Sequence, residues 1–392
     1  MQLSADQKYT IDALSMWYEK LPSQFITVGG YAGTGKTSII AKFREILFKK
    51  IQPKGKKTKL KVAFCSFTGK AARVLESTLQ KEKAVYGKDF IGTIHSLIYS
   101  PIVDERSKEI IGWEKKKMPG YDLIIIDEAS MVDQEIWNDL LSFKIPIVAV
   151  GDHGQLPPIR GNFNLMQKPV LKLEQIHRQA AQNPIIKVSI LAREQGHIPA
   201  MEYSKKVRKL DRGDEETGSF IEELLQGFND EMLVLCGYNT TRVKLNKYIR
   251  SLLEITSPSP QVNDRVICLR NNHEKQIFNG MLGKIKYIED DSEGLYYAEI
   301  EELNNGNTFK GLISKEQFNA DKGLNFTSKR GKTVHADLFD FGYALTVHKA
   351  QGSQAQKVVL FEERFKQMND EDWRRWLYTG VTRAEEELYV VG

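Results

Sequence analysis

Gly30, Gly35, Lys36 and Thr37 fall in the pattern G-x-x-x-x-G-K-[ST] within the stretch GGYAGTGKTSII. That spacing suits one chemistry. Glycines let successive backbone N–H groups wrap phosphate oxygens at a helix N-terminus. The lysine reaches the β- and γ-phosphates, and the threonine hydroxyl ligates Mg²⁺. Gly33, Thr34, Gly35, Lys36, Thr37 and Ser38 are therefore expected to hold ATP. Ninety residues on, IIIDEAS ends an apolar run with Asp127 and Glu128. Asp127 is expected to hold Mg²⁺ with Thr37, and Glu128 to polarise the attacking water. Paired acids at a strand end are otherwise a helix cap, the alternative use for both. In VGDHGQLPPI, Gln155 is placed to touch the γ-phosphate or, equally, to sit in a Gly/Pro-rich surface turn.

These residues need strands to carry them. FITVGG (25–30), KVAFCSF (61–67), YDLIIID (121–127) and IPIVAVGD (145–152) are near-continuous in β-branched and apolar residues, the signature of buried parallel strands. Helical patterns alternate with them, which gives an α/β, doubly wound arrangement. Ser4 and Gln7 form a capping box ahead of the first helix. EMLVLCG (231–237), KVVLFEE (357–363) and ELYVVG (387–392) predict a second α/β domain. Residues 257–340 change character to strand-sized pieces with Asn-Gly turns, a small antiparallel barrel inserted in that domain. Residues 97–117 read as a hairpin inserted in the first. The Lys-rich stretch 49–61 is a solvated connection or a backbone-phosphate contact.

Composition excludes several classes. The chain has 392 residues, 41% hydrophobic and 27% charged, enough apolar content for two or three cores. No apolar run reaches the roughly 20 residues that span a bilayer, and MQLSADQKYT lacks the regions of a signal peptide. The expectation is a cytoplasmic protein with no membrane partner. Cys65, Cys236 and Cys268 lie in apolar runs without metal-ligand spacing and read as buried free thiols. The net charge of +5 leans mildly toward polyanions.

The order of motifs then becomes recognisable. GYAGTGKTS, SFTGKAARVL, GTIHSL, IIIDEASM, GDHGQLPPI, HRQ, ALTVHKAQGSQ and LYTGVTRAEEELYVV run as they do in superfamily 1B helicases, with a look of the phage Dda-like and bacterial RecD-like groups. The resemblance covers Gln7 to Val391, and its narrowest signature is TVHKAQGS followed by YTGVTRA.

The resemblance implies two RecA-like parallel-sheet P-loop domains, 1–165 and 166–256 with 341–392. It also implies a pin-like hairpin at 97–117 and an SH3-like β insertion at 257–340. Gln7 resembles the adenine-sensing glutamine, a role compatible with its cap. Arg178 and Arg383 resemble the arginines that reach the γ-phosphate, and Gly352 joins the nucleotide site. Thr68, Gly69, Lys70, Thr93 and His95 resemble the strand-gripping residues of the first domain. Thr346, His348 and Lys349 resemble those of the second. Tyr99, Ile102 or Trp113 would abut the terminal base pair, unless the hairpin is only a packed surface feature. Gln354 stands where relatives often carry Glu.

The implied activity is ATP hydrolysis coupled to DNA strand separation, 5′ to 3′ along single-stranded DNA. The cofactors are ATP and Mg²⁺, and the substrates are single-stranded and tailed duplex DNA. A single-strand-binding or replication protein would be a partner, and the working form a monomer in a phage-infected or bacterial cell. An RNA helicase and a nucleotide-switched binding protein are the rivals.

Overall fold

The computed structural model describes residues 3–51, 60–103, 110–158, 163–176, 182–270, 272, 275, 277, 279–292, 294–303, 306–321 and 336–392. Arg178, most of the Lys-rich stretch and the tip of the 97–117 hairpin lie outside the described residues. The chain divides into two compact units, Met1–Ser100 with Glu114–Arg193, and Pro101–Trp113 with Glu194–Gly392.

The first unit opens with α1 (Ala5–Lys20). Its capping box forms as the sequence predicts: the Ser4 hydroxyl accepts from the Gln7 amide, and the Gln7 side chain accepts from the Ser4 amide. Strand β1 (Phe25–Gly30) leads through the glycine loop into α2 (Lys36–Ile51). β2 (Val62–Ser66), α3 (Gly69–Lys81), β3 (Phe90–Thr93) and the short α4 (Ile94–Ile98) follow. The hairpin β4 (Tyr99–Val103) and β5 (Ile110–Lys115), of which Pro101–Trp113 belong to the second unit, is next along the chain, then β6 (Leu123–Asp127), α5 (Gln134–Ser142), β7 (Ile147–Gly151), β8 (Leu171–Leu173) and α6 (Pro184–Gln195).

Among the described residues, six strands form one sheet in the order β3-β2-β6-β7-β1-β8, and every pairing in it is parallel. β8 lies beside β1, so this sheet reaches past residue 165, where the sequence had put the boundary. A three-residue strand reading Leu-Lys-Leu is too short for periodicity to reveal. Helices cover both faces, with Val28, Phe43, Phe64 and Leu123 in one core and Ala63, Ile126, Trp137 and Ala149 in the other.

The hairpin is rooted rather than loose. Asp139 on α5 accepts from the Tyr99 hydroxyl at 2.5 Å and the Lys115 ammonium at 3.0 Å. Tyr99 therefore sits at the base of the hairpin.

The second unit contains β9 (Met201–Ser204), β10 (Val207–Leu210), α7 (Glu215–Gln226), β11 (Met232–Cys236) and α8 (Asn239–Leu252). β12 (Arg265–Cys268), β13 (Leu282–Ser292), β14 (Leu295–Glu302), β15 (Thr308–Ser314) and β16 (Phe339–Phe341) come next. β17 (Ala344–Thr346), β18 (Ala355–Phe361), α9 (Asp370–Val381) and β19 (Ala384–Val391) complete it. Its main sheet, as described, has the order β17-β11-β18-β19-β10-β9 and is parallel except for β9.

The insertion forms an antiparallel sheet, β15-β14-β13-β12-β16. The predicted Asn-Gly turn is present at Gly280, with φ 91°. Two buried ion pairs from α8 grip the ends of the insertion. Arg250 donates to both oxygens of Asp264, just before β12, at 3.0 Å each. Arg242 meets Asp340, in β16, at 2.8 Å. The Tyr343 hydroxyl also donates to Asp264, at 2.7 Å.

Cys65, Cys236 and Cys268 are free and buried, and burial pushes each thiol above its ordinary pKa. No helix among the described residues is long and apolar enough to cross a membrane.

Removing one partner of a buried pair leaves an uncompensated charge. Asp264→Ala is expected to cost the second unit about 3–5 kcal/mol of unfolding free energy, read from denaturant titration. A loss under about 1 kcal/mol, the size typical of exposed pairs, would mean that the Arg250 anchor is not what fixes the insertion.

Candidate nucleotide and strand-binding edge

Parallel strands place their carboxyl ends on one edge, where α/β sheets bind ligands. The register shows which residues meet there. Ser66 aligns with Thr93 on one side and with Asp127 on the other, and Gly29 aligns with Gly151. The sheet thus lines up the glycine loop, Asp127, the loop after Gly151, Thr68 and Thr93 along a single edge.

The glycine loop has the shape its sequence requires. Gly33 and Gly35 take φ of 79° and 78°, which side chains disfavour. A Cβ on Gly30 would come within 2.7 Å of the Thr34 hydroxyl. Thr34 turns inward, and its amide and hydroxyl both donate to the Tyr31 carbonyl. Lys36 donates to the Gly30 carbonyl at 2.9 Å and the Tyr31 carbonyl at 3.1 Å, and its ammonium lies 3.8 Å from Asp152. Thr37 and Ser38 occupy the first turn of α2.

The two residues expected to hold Mg²⁺ lie side by side. The Thr37 hydroxyl donates to Asp127 Oδ2 at 3.1 Å, while Asp127 Oδ1 accepts from the Glu128 amide at 2.9 Å. Burial pushes the Asp127 carboxyl above its usual range, and Lys36, the Glu128 amide and the Thr37 hydroxyl pull the other way. Among the described residues no group of three or more His, Cys, Asp and Glu could hold a metal. A hydroxyl with one carboxylate still fits Mg²⁺, which keeps several waters and takes substrate phosphate oxygens as ligands.

Glu128 adopts a left-handed conformation, φ 56°, ψ 38°. For a non-glycine residue this is a strained state of the kind that gathers at functional sites. The backbone there turns sharply out of β6 into a short 3₁₀ turn.

Asp152 was not singled out from the sequence, yet it connects the parts. It approaches Lys36, accepts from the Gly154 amide at 2.9 Å, and lies 3.4 Å from the Gln155 side-chain amide. Its signal was present: like Asp127, it is an acid directly after an apolar strand. Gln155 is 7% exposed, so it belongs to this buried network rather than to a surface turn.

Gln7 is fully buried and serves two neighbours. Besides capping α1, it donates from Nε2 to the Thr34 carbonyl at 2.9 Å. Helix α1 is thereby fastened to the glycine loop.

The residues expected to grip a strand fall into two groups. Thr68 and Thr93 cap α3 and α4, accepting from Ala71 and Ser96. Gly69 and Lys70 open α3, and the His95 ring lies 5.7 Å from Tyr99. In the second unit Thr346 ends β17 in register with Cys236. Lys349 donates to the Asn279 side chain at 2.6 Å, which links this loop to the insertion. Burial pushes the His348 imidazole below its ordinary range, so it is neutral at pH 7.

Arg383 is 3% exposed and held within its own unit. It donates to the Thr379 carbonyl at 3.0 Å, the Ser353 carbonyl at 3.3 Å and the Thr382 hydroxyl at 3.2 Å. It thus touches the loop containing Gly352, whose φ is 74°. In the hairpin, Ile102 is 41% exposed.

Comparison with known proteins gives the family and the fold. The family description "AAA domain" matches residues 2–215, and "UvrD-like helicase C-terminal domain" matches 341–391. The chain is 28% identical to the ATP-dependent RecD2 DNA helicase of Deinococcus radiodurans over 100% of its own length and 49% of that protein's, so it spans about half of this relative. It is 26% identical to the ATP-dependent DNA helicase Pif1 of Campylobacter jejuni, over 65% of this chain and 67% of that one. The fold is that of the Pif1 helicase from Bacteroides solved in complex with ADP-AlF3 and ssDNA: TM-score 0.50, 16% identity, 100% of this chain and 92% of that one. By a family match spanning more than half of its length, with the motif order set out on these two sheets, the chain belongs to the AAA domain family, among the superfamily 1B helicases.

Proposed function

We propose that this chain is an ATP-driven motor that moves 5′ to 3′ on single-stranded DNA and separates duplex strands. The observation that carries the reading is the shared edge of the first sheet. The glycine loop, the Thr37–Asp127 pair, Glu128 and the Asp152–Gln155 network stand at one part of it. Thr68 and Thr93 stand further along the same edge. The relatives support the reading: one is named an ATP-dependent DNA helicase, and a Pif1 helicase of like fold was solved with ADP-AlF3 and ssDNA.

Roles follow from the chemistry of each group. The amides of Gly33 to Ser38, with Lys36, cradle the triphosphate. Thr37 and Asp127 hold Mg²⁺, which when bound neutralises charge on the phosphate oxygens. Glu128 takes the proton of the attacking water, and Gln155 senses the γ-phosphate. Gln7 reads adenine from its seat against Thr34. Arg178 and Arg383 supply guanidinium forks to the transition-state oxygens, with Gly352 giving room beside Arg383. Arg383 reaches them by giving up its carbonyl partners in its own unit.

Thr68, Gly69, Lys70, Thr93 and His95, with Thr346, His348 and Lys349, position the strand through its backbone without reading sequence. The 97–117 hairpin is the separating pin. With Tyr99 tied to Asp139, exposed Ile102 is the better residue to meet the terminal pair, with Trp113 on the other strand of the hairpin. The 257–340 insertion is read as SH3-like. Opening each base-pair step costs about 1.4 kcal/mol on average, a modest load for a nucleotide-driven step. A monomer is the working form, in replication or repair, with a single-strand-binding or replication protein as partner.

ATP hydrolysis measured with and without single-stranded DNA, beside RNA of the same sequence, tests the reading. Strong stimulation by DNA alone is expected, followed by unwinding of duplexes with 5′ tails only. Equal stimulation by RNA would move the substrate class, unwinding from 3′ tails would reverse the polarity, and no stimulation by either would leave a nucleotide-switched binding protein.

Two variants test the machinery. Lys36→Ala should lower hydrolysis at least about 100-fold while strand binding persists; equal loss of both would make Lys36 structural. Glu128→Gln should bind ATP and turn over about 100- to 10,000-fold more slowly. Near-normal turnover would remove Glu128 from its role.

A further inference from the structure

Three side chains that the roles above leave out converge on the glycine loop. Tyr31 is the second residue of the loop, and the Arg193 guanidinium lies over its ring, 3.7 Å from the centroid. The His153 ring packs on Tyr31 as well, with centroids 4.2 Å apart. His153 belongs to the same loop as Asp152 and Gln155, and Arg193 lies near the end of α6. Gly29, which the phosphate motif does not require, permits the contact: a Cβ there would meet His153 Nδ1 at 2.8 Å and Pro169 at 2.4 Å. Among the described residues, His153 Nδ1 is buried without a hydrogen-bond partner. Burial pushes this imidazole below its ordinary pKa, so a neutral ring, not a second cation, shares Tyr31 with Arg193.

The ring matters because of the carbonyl on the same residue. Tyr31 O accepts from the Thr34 amide at 3.3 Å, the Thr34 hydroxyl at 2.8 Å and Lys36 Nζ at 3.1 Å. It is the acceptor on which the turn of the loop closes. A group that fixes the Tyr31 ring therefore also fixes the turn that aims Lys36 and the loop amides.

We propose that Arg193 is a positioning residue for the phosphate loop: stacked on Tyr31, its guanidinium holds the turn of that loop in the shape that receives a triphosphate. The proposal rests on the reading of this loop as an ATP site. Cation–π contacts of this kind are worth enough to change an affinity severalfold. Arg193 acts before chemistry, so its loss falls on nucleotide affinity and not on the chemical step.

The test is a double-mutant cycle read with a fluorescent ATP analogue and Mg²⁺, alongside steady-state hydrolysis. Arg193→Gln and Tyr31→Leu should each weaken analogue binding about threefold to tenfold, with kcat at saturating ATP within about twofold of the parent. The double variant should be no weaker than the weaker single, because one contact is lost in all three. Arg193→Lys should recover part of the affinity, and Tyr31→Phe most of it. Additive losses would show two independent structural effects and overturn the proposal. So would unchanged binding, or a fall in kcat with affinity intact. Thermal melting of each variant separates misfolding from lost positioning. If the parent itself fails to bind the analogue, it is the reading of the loop that fails, and the cycle shows this as a separate result.

Discussion

The parallel pairing of β6 with β2 and β7 is the constraint from which the site follows. β6 is the central acid-bearing strand, and Leu123 to Asp127 are buried along its whole length. Its neighbours run the same way, so their last residues emerge on the same edge as Asp127. A buried carboxylate at that point is costly unless it is bonded. The Thr37 hydroxyl and Glu128 amide provide the bonds, and in doing so they bring the start of α2 to the end of β6. The relative position of Thr37 and Asp127 is thus set by the same hydrogen bonds that make the acid tolerable.

The same logic recurs in the second unit with a different outcome. There the charges buried at the root of the insertion are Arg242 and Arg250 on α8, paired with Asp340 and Asp264. Each is paired within the unit, so they fix a boundary between a parallel sheet and an antiparallel one. Lys349, in the turn after β17, reaches across to Asn279 of the insertion. A residue expected to grip a strand is therefore placed partly by the inserted sheet.

Much of this was legible in the sequence, for reasons that can be named. Long apolar runs such as Leu123–Asp127 and Ile147–Gly151 are buried on both faces, and no other element writes that pattern in so few residues. The Ser4–Gln7 box and the glycine spacing are local signals that fold as written. What escaped was either short or long-range. Leu171–Leu173 has one polar residue in three and pairs with β1, a strand remote in sequence, so the first domain was cut too early. Phe90–Thr93 and the hairpin Met201–Leu210 are likewise brief. Asp152 looked like part of a Gly/Pro turn, because its partner Lys36 is remote in sequence. Nothing local joins Tyr31, His153 and Arg193, which meet only after β1, β7 and α6 have packed.

Lys36 shows how the loop keeps its form before a nucleotide arrives. An ammonium has three donors and no acceptor, and leaving them unsatisfied in a half-buried site is expensive. Two carbonyls of the loop accept hydrogen bonds from it, with Asp152 beyond hydrogen-bond range but close enough to balance charge. Those contacts close the turn from inside. A triphosphate that enters offers charged oxygens in place of neutral carbonyls, and charge-assisted bonds are the stronger kind. The exchange therefore favours the ligand without requiring the loop to fold around it. Preorganisation of this sort lowers the ordering cost of binding. It also explains why so much of the first unit, from Gln7 on α1 to Asp152 after β7, is spent on holding a loop of eight residues still.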